Sequence, residues 1–420
     1  MQRPLAAHAA DAIVLGAGIV GVSVAVHLQK RGRATVLVDR RGAAEETSFG
    51  NAGLVQREGV YPYGFPHDFG ALFRYGLNRT IDAHYHPSAI PHLAAFLWKY
   101  WSHSKPARHA VIARAYAQVI EHCIAEHEAL IAAAGAQDLA RPTGWMKVFR
   151  SERERDTRFA EAQLWRQEFG LNYRTYDATQ LQAMEPHLAP ILVGALHWTD
   201  PLSIVDPHAL VLSYLALFEK LGGRFVQGNA RSLEADGSGW RVRTVDGPVS
   251  ARDAVVALGP WSDVVTQRLG YDLPLAVKRG YHMHYRAAGR AVLNYPVLDV
   301  ESGFFLAPMR RGIRLTTGAE FALRDAIRTP VQLGRAEPLA RELFPLSERL
   351  DTEPWMGSRP CTPDMMPVIG PAPRHPGMWF AFGHAHHGLT LGPVTGRLIA
   401  EMVCGEKPFV DPTAYRADRF

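Results

Sequence analysis

The sequence predicts an α/β (α+β) protein in which a parallel sheet covered by helices stands beside a second, antiparallel sheet. An apolar run, a glycine-rich turn, a helical stretch and a second apolar run follow one another within residues 11–40. Another apolar run ends in glycine and proline within residues 253–260, and a third leads into a helical stretch within residues 379–403. Short runs between these segments indicate strands of an antiparallel sheet.

The bulk composition fits a globular protein of more than one domain. The chain has 420 residues, of which 47% are hydrophobic and 21% charged. The formal net charge is +5 without a run of five basic residues, so we expect no nucleic-acid partner. Three cysteines, Cys123, Cys361 and Cys404, fit neither a zinc motif nor a disulfide framework. They predict a reducing compartment, and we expect a cytoplasmic protein.

The first segment has the pattern of a dinucleotide-binding turn. Gly16, Gly18 and Gly21 form G-x-G-x-x-G between a strand and a helix, and Asp39 ends the next strand at about the expected distance of 20 residues. Glycine allows a close approach to a pyrophosphate, the helix N-terminus attracts it, and the acid accepts ribose hydroxyls. The alternative is a tight turn in an unrelated sheet. The predicted contacts are Gly16, Ala17, Gly18, Ile19, Val20, Gly21, Asp39 and Arg40.

Three segments resemble one flavoprotein family. "ETSFGNAGLV" at residues 46–55 is similar to the S-x-x-N-A-G stretch of D-amino-acid dehydrogenases, glycine oxidases and sarcosine oxidases. "DAVVALGPWSD" at residues 253–263 and "FAFGHAHHGLTLGPVTG" near the C-terminus resemble the family's later flavin segments, in the same order. The resemblance implies non-covalently bound FAD. It adds these cofactor contacts: Ser48, Asn51, Ala52, Gly53, Ala230, Gly259, Trp261, Gly383, His384, Gly388, Leu389 and Thr390.

The resemblance also implies a domain organisation. A Rossmann-type FAD-binding domain would be assembled from the discontinuous residues 1–57, 200–272 and 356–420. Residues 58–199 and 273–355 would form a substrate-binding or cap domain, with an antiparallel sheet and a helical insertion over the site.

A segment at residues 353–371, "EPWMGSRPCTPDMMPVIGP", gives the strongest substrate signal. It resembles the family's G-x-R-P-x-T-P-D-x-x-P-x-I-G stretch, so Arg359 takes the place of the arginine that several relatives use for the substrate carboxylate. A guanidinium holds a carboxylate in a fixed plane through two charge-assisted hydrogen bonds. The alternative is a structural arginine paired with Asp364.

Two further stretches are expected to contact the substrate. "PLAVKRGYHMHY" at residues 274–285 resembles the family's basic–Gly–Tyr stretch, which implies contacts from Arg279 and Tyr281, the latter as a second hydrogen-bond donor. Phe304 and Phe305 fall where relatives place a substrate-contacting aromatic, here without a hydroxyl group.

The histidines near the C-terminus, His384, His386 and His387, suggest a metal site at first sight. Their i, i+2, i+3 spacing differs from the i, i+4 spacing of a helical metal pair, so we predict no metal. His384 directly follows the predicted strand and is our choice for contact with the flavin or the substrate amine.

Together these features predict an FAD-dependent D-amino-acid dehydrogenase. A hydride would pass from Cα to flavin N5, giving 2-oxo acids, or cyclic imines from D-proline or a hydroxy-D-proline, with Arg359, Tyr281 and His384 as catalytic residues. The alternatives are an amine oxidase for N-methylated or cyclic secondary amino acids and a flavin-binding subunit without independent turnover. A quinone or another carrier would accept the electrons, with at most peripheral contact with the inner membrane face. The oligomeric state is left open.

Overall fold

The predicted strand–turn–helix–strand unit opens the fold. The structure is a computed structural model that describes residues 8–420, so the first seven residues of the predicted cofactor domain lie outside it. The strands are β1 (His8–Leu15), β2 (Thr35–Asp39), β3 (Leu54–Val55), β4 (Ala83–Tyr85), β5 (Ala140–Arg141), β6 (Trp145–Phe149), β7 (Tyr173–Asp177), β8 (Gly194–Trp198), β9 (Leu202–Ile204), β10 (Arg224–Asp236), β11 (Gly239–Thr244), β12 (Gly247–Val256), β13 (Ala276–Ala287), β14 (Val297–Asp299), β15 (Phe304–Met309), β16 (Gly312–Thr316), β17 (Ala319–Phe321), β18 (Leu346–Arg349), β19 (Trp355–Cys361), β20 (Val368–Pro371) and β21 (Met378–Phe382).

Helices cover the sheets and connect them. They are α1 (Ile19–Lys30), α2 (Phe69–Gly76), α3 (Ile90–His103), α4 (Pro106–Ile120), α5 (Cys123–Ala134), α6 (Glu152–Phe169), α7 (Ala178–Met184), α8 (Pro207–Lys220), α9 (Asp263–Thr266), α10 (Val331–Leu343) and α11 (Gly388–Val403). Within the part of the chain that the structure describes, no helix is long and apolar enough to cross a membrane.

The seven-stranded sheet confirms the predicted parallel core. Strand β1 lies between β2 and β12, while β10 extends the sheet beyond β2 and β21 extends it beyond β12, all in parallel. The carboxyl ends of parallel strands meet at one edge of a sheet, where ligands bind. Gly16 follows β1, Asp39 ends β2 and Gly259 comes shortly after β12, so all three lie at this edge.

Helices α1 and α11 pack against each other at very short range. A Cβ atom added to Gly396 would lie 2.6 Å from the backbone of Ser23, so only glycine allows this approach.

The helical insertion differs in part from the prediction. Helix α3 contributes Leu97 and Tyr100 to the cavity described below, but α5 packs on α8 and α11, because the apolar face of α5 is buried against the cofactor-side core.

The larger sheet is built around β13. This strand pairs antiparallel with β16, β17, β18 and β19, and the sheet continues from β16 through β15, β14, β6 and β8 to β7. The register from Ala276↔Cys361 to His282↔Trp355 places β19 in this sheet. The sequence assigns residues 356–361 to the cofactor domain, and they pair here with a strand of the predicted substrate domain; the domain limits stay predictions.

Candidate active site

A large cavity runs between the two main sheets. Its volume is about 900 Å³, within the usual range for sites that hold small molecules or cofactors. One end lies at the glycine-rich turn after β1, and the other lies among the side chains of α3, β13 and β19.

The glycine-rich end is formed mainly by backbone. Gly16 has φ of 104°, and a Cβ atom at this position would lie 2.4 Å from the carbonyl oxygen of Ala257. The chain can therefore turn tightly between β1 and α1 only with glycine. At the start of α1, the N–H of Ile19 donates to the Ser48 hydroxyl at 3.0 Å, which fixes the following loop beside the helix N-terminus.

Asp39 lies at the same end and retains capacity to accept hydrogen bonds. Its Oδ2 accepts from the N–H of Ala17 at 2.7 Å, and its Oδ1 accepts from the N–H of Arg41 at 3.1 Å. Burial raises the pKa of Asp39, and the Ala17 N–H opposes this shift. Each carboxylate oxygen has a further lone pair. The site therefore fits an adenosine ribose, with a helix N-terminus available for a pyrophosphate.

Most of the predicted cofactor residues line the cavity. These are Gly16, Gly18, Ile19, Val20, Asp39, Arg40, Ser48, Asn51, Ala52, Ala230, Gly259, Trp261, His384, Gly388 and Leu389. The guanidinium of Arg40 lies 4.6 Å from the ring centroid of Trp261, which joins two of these segments.

Five predicted cofactor residues do not line the cavity, and their contacts with the cofactor stay predictions. They are Ala17, Gly21, Gly53, Gly383 and Thr390. Two of them have structural contacts: a Cβ atom at Gly21 would lie 1.8 Å from the Gly16 oxygen, and the Thr390 hydroxyl accepts from the N–H of Gln56 at 3.1 Å.

The middle of the cavity contains polar groups that sequence analysis missed. His282 stacks on Trp355 with ring centroids 4.8 Å apart, and its Nδ1 lies 3.2 Å from the oxygen of Gly50. The hydroxyl of Thr316 is buried without a hydrogen-bond partner among residues 8–420. Because buried polar groups are usually satisfied, this cavity-lining hydroxyl fits a polar atom of a bound ligand.

The two faces of β13 correct the predicted substrate contacts. Side chains alternate along a strand, and Lys278, Gly280 and His282 face the cavity. Arg279 is 0% exposed and does not line the cavity; its Nε donates to Glu320 at 2.6 Å. Arg279 is therefore held in a buried ion pair, which leaves it no contact with a substrate.

The hydroxyl of Tyr281 also belongs to this buried ion pair. It donates to Glu320 at 2.9 Å and accepts from the N–H of Thr329 at 2.9 Å. Tyr281 borders the cavity, but its hydroxyl is engaged on the far side of the strand. The predicted role as a second hydrogen-bond donor to the substrate therefore does not fit this geometry.

Arg359 lies on the cavity side of β19. Its Nη1 donates to the oxygen of Gly318 at 3.2 Å, and a Cβ atom at Gly280 would lie 2.5 Å from its Nη2. The guanidinium thus lies over the one residue of β13 that leaves it room. Asp364 pairs with Arg419 at 2.8 Å, which removes the alternative Arg359–Asp364 pair. Burial lowers the pKa of Arg359.

Lys278 is a second cation in the same wall, and the sequence did not single it out. It is 3% exposed, and its Nζ donates to the hydroxyl of Tyr100 at 2.8 Å. Burial, with a smaller contribution from the charge of Arg359, lowers the pKa of Lys278 to about 8. At neutral pH, most molecules of the protein therefore carry Lys278 in its charged, ammonium form.

The three histidines occupy different places. His384, the predicted contact, borders the cavity, but its Nε2 lies 2.8 Å from the Thr395 hydroxyl. His387 is buried, with Nδ1 2.9 Å from the hydroxyl of Tyr116. His386 lines the cavity, and after burial the charges of Arg359 and Lys278 lower its pKa well below the usual value. His386 is therefore the histidine of this triplet that lies beside both cations.

A family model described as FAD dependent oxidoreductase matches residues 11–402. The chain belongs to this family. A D-amino acid dehydrogenase of Chromohalobacter salexigens is 29% identical, with 97% of this chain and 99% of the relative covered. A D-amino-acid oxidase of Bradyrhizobium diazoefficiens is 27% identical, with 97% and 98% covered. The crystal structure of glycine oxidase from Geobacillus kaustophilus has a TM-score of 0.74 at 21% identity, covering 98% of this chain and 99% of that chain, and shows the shared fold.

The oxidoreductase thus has a site whose residues fit an FAD molecule, from Asp39 at the end of β2 to the start of α11. Gly388 and Leu389 begin this helix and line the cavity, so its N-terminal dipole faces the cofactor space. A positive dipole end stabilises negative charge on a neighbouring group.

The two aromatic residues that were predicted to contact the substrate, Phe304 and Phe305, lie in different hydrophobic cores of the oxidoreductase. Phe305 lines the cavity beside Trp145, with ring centroids 6.1 Å apart. Phe304 points to the opposite side of β15 and is buried in the core under α10, because neighbouring residues of a strand face opposite sides. The predicted contact of Phe304 is therefore corrected.

One group of potential metal ligands occurs in the described part of the oxidoreductase: His84, His86 and Glu320. Glu320 already pairs with Arg279, and an Arg279 nitrogen lies 3.5 Å from Nε2 of His86. A guanidinium at this distance repels a metal ion. The group is better described as part of the buried ion pair.

Proposed function

We propose that this FAD-dependent oxidoreductase oxidises D-amino acids to the corresponding imino acids, which hydrolyse to 2-oxo acids and ammonia. The observation that carries this proposal is Arg359, a cavity-lining guanidinium that has no carboxylate partner among residues 8–420 and lies at the end of a cavity that begins at the glycine-rich turn. The dehydrogenase and oxidase relatives, which are named for D-amino acids, support the choice of substrate.

Arg359 holds the substrate by its α-carboxylate in this proposal. Two parallel N–H donors define the plane of the carboxylate, and the backbone oxygen of Gly318 fixes the guanidinium from the other side. Holding one end of a small substrate restricts the position of its Cα hydrogen, which is the main contribution that a protein makes to such a transfer. When FAD is bound, its N5 accepts the hydride.

The substrate amine must be uncharged to lose this hydride, and the surrounding groups favour that state. Arg359, Lys278 and His386 line this end of the cavity, and the two cations repel an ammonium group. Burial keeps His386 neutral, so its ring can accept or donate one hydrogen bond. Tyr281 has no such role, because its hydroxyl is bonded to Glu320.

Anaerobic reduction of the bound flavin tests the proposal. A panel of D-amino acids, their L-enantiomers, glycine, sarcosine and D-proline is mixed with the holoprotein, and the flavin absorbance is followed. Bleaching by D-enantiomers alone is expected. Faster bleaching by sarcosine or D-proline than by any primary amine would favour the alternative, an oxidase of secondary amines. The absence of bleaching by every compound would refute both.

We propose that the FAD is bound without a covalent link. Among the residues that the structure describes, no cysteine lines the cavity, and the thiol of Cys361 donates to the oxygen of Arg359 instead. Acid precipitation should therefore release all the yellow colour into the supernatant. Colour retained in the pellet would show a covalent bond.

We propose a cytoplasmic protein whose electrons leave to a quinone or another carrier at a membrane surface. Helix α2 supports this: Leu72 and Tyr75 line the cavity, whereas Phe69 and Phe73 on its outer side are 87% and 71% exposed. Exposed apolar side chains in one helical stripe are typical of surfaces that meet a membrane or a partner.

Vesicle binding and acceptor assays test this arrangement. Sedimentation with vesicles that contain anionic lipid should carry the protein down, and Phe69→Ser with Phe73→Ser should release it. Val245→Ser, at an exposed position far along the chain, is the matched control. Quinone reduction should exceed oxygen consumption. Equal sedimentation of all variants, or a faster reaction with oxygen, would contradict the proposal.

A further inference from the structure

Lys278 is a buried cation that the proposed mechanism does not use as a ligand. It lines the cavity and is 3% exposed, and its Nζ lies 4.0 Å from the ring centroid of Tyr100 and 5.3 Å from that of Phe321. Its hydrogen bond to the Tyr100 hydroxyl and a contact of 3.8 Å to the Met365 sulfur are its polar contacts. An ammonium group has three donors, so at least one lacks a strong acceptor.

The charge of Lys278 also lacks a counter-charge within the described part of the chain. After burial, the groups that act on its pKa are Cys361 and Arg359, and those that act on the pKa of Arg359 are Cys361 and Tyr63. Neither set contains a carboxylate. Burying a charge without a partner is costly, and proteins retain such groups mainly at sites where a ligand supplies the opposite charge.

The pairing of β13 with β19 makes the arrangement more unfavourable without a ligand. Lys278 lies directly opposite Arg359 in the register of the two strands, and like charges in such a pair destabilise a sheet. The two charged ends diverge: the guanidinium lies over Gly280, whereas the ammonium lies among Tyr100, Phe321 and Met365. Residues i and i+2 of a strand are about 6.6 Å apart, so the two ends present separate binding points.

We propose that Lys278 is a specificity-determining residue that binds a second carboxylate, so that the preferred substrates are D-amino acids with an acidic side chain. The inference rests on the proposed function, in which Arg359 binds the α-carboxylate. D-Aspartate and D-glutamate present two carboxylates on a short chain, which matches two cations that share a wall and point apart. A charge-assisted hydrogen bond from an ammonium is strong when both groups are removed from water.

The aromatic surroundings of Lys278 add to this selectivity. Tyr100 and Phe321 hold the ammonium by their ring faces and leave little water beside it. A neutral side chain entering this pocket would leave the ammonium without an acceptor, and a cationic side chain would be repelled by it. The pocket therefore rejects substrates by charge as well as attracting them.

Matched pairs of substrates and variants test the inference. Steady-state kcat/KM of the holoenzyme is measured for D-glutamate against D-glutamine and for D-aspartate against D-asparagine. These pairs differ in charge and hardly in shape. The acidic member should react at least about 30-fold better in each pair, as expected for a buried charge pair. Lys278→Met, of similar length and without charge, should remove this preference by lowering kcat/KM far more for the acids than for the amides, whereas Lys278→Arg should retain it.

Three outcomes are decisive against the inference. Equal kcat/KM for the acid and its amide in the unsubstituted enzyme would show that Lys278 does not discriminate between a charged and a neutral side chain of the substrate. A Lys278→Met variant that slows both members of a pair equally, with a changed pH profile, would make the residue a general base. A Lys278→Met variant that leaves every rate unchanged would make it structural. In all three, turnover of D-glutamine would still uphold the proposed function. FAD content and melting temperature are measured in parallel, so that a misfolded variant is recognised.

Discussion

The two faces of β13 contain similar side chains in opposite electrostatic situations. On one face, Arg279 is buried with Glu320 and donates its other nitrogens to the backbone oxygens of Ala326 and Ile327 at 2.6 and 2.8 Å. On the other face, Lys278 lies opposite Arg359 and neither has a carboxylate partner in the described chain.

The comparison separates two uses of a buried cation. A cation whose donors are all satisfied by the protein stabilises one packing arrangement and has nothing left for a ligand. A buried cation without a counter-charge can bind a negatively charged group of a substrate. Without the substrate, the unpaired charge destabilises the folded protein. Arg279 is a cation of the first kind and Lys278 is one of the second kind, although the two residues are neighbours in one strand.

The largest effect should come from breaking the satisfied pair. Glu320→Ala leaves Arg279 buried without a counter-charge and should lower the free energy of unfolding by about 3–5 kcal/mol. Urea unfolding of the holoprotein measures this. The control is Glu348→Ala, which removes an exposed pair with Arg286 and should cost less than about 1 kcal/mol. Similar losses in both variants would contradict the contrast between the faces.

The unpaired face should respond in the opposite way. Arg359→Met should lower kcat/KM for D-amino acids on the order of 100-fold, because the α-carboxylate loses its partner. The melting temperature should stay the same or rise, since an uncompensated buried charge has been removed. Normal FAD content is the control for folding. Unchanged kcat/KM, or a marked loss of stability, would place Arg359 with Arg279 as a structural residue.

A pH titration should distinguish Lys278 from a permanently charged residue. The pKa of Lys278 is lowered to about 8, so its charge is present below that pH and is lost as the pH rises through it. The ratio of kcat/KM for D-glutamate to that for D-glutamine should therefore fall by roughly tenfold across two pH units above 8. Ionisation of the substrate amine cancels in this ratio.

The control for this titration is Lys278→Arg, in which the guanidinium keeps its charge and the ratio should stay constant. A ratio that is equally flat in the unsubstituted enzyme would show that the charge of Lys278 does not act on the substrate.

The smallest effect should separate two histidines of the C-terminal triplet. His386 lies beside both cations, whereas the Nε2 of His384 bonds to Thr395. His386→Asn should raise KM about fivefold, the typical effect of one hydrogen bond, and His384→Asn should change it less. Steady-state kinetics on D-glutamate checks this order. A larger effect from His384→Asn would restore the assignment made from the sequence.

Most cavity-lining residues at the cofactor end could be predicted from the sequence alone. Gly16, Gly18, Asp39 and Ser48 were predicted and line the cavity. Their spacing follows from one local unit, in which a strand, a turn and a helix are consecutive in the chain and the phosphate contacts come from the backbone. Residues such as Gly21 and Thr390 belong to the same segments but support the wall from behind, a distinction that spacing does not contain.

The substrate end was predicted only in part. Of the predicted residues on β13 and β15, Tyr281 and Phe305 border the cavity, whereas Arg279 and Phe304 do not. Lys278 and His282 line it as well, although the sequence did not single them out. An alternating pattern would normally identify the cavity face of a strand, but β13 is buried on both faces and carries polar residues on both. Nothing local distinguishes them.

The sequence by itself therefore determined the fold class, the family and the cofactor, and it pointed to Arg359, because each is encoded in a short segment with its own spacing. The tertiary structure alone decided which face of β13 lines the cavity. That choice depends on Glu320, which lies 41 residues beyond Arg279 and neutralises it, and on β19, which places Arg359 opposite Lys278. Charge compensation between distant segments is a property of the folded chain, since a residue's partner is fixed only when the strands pair.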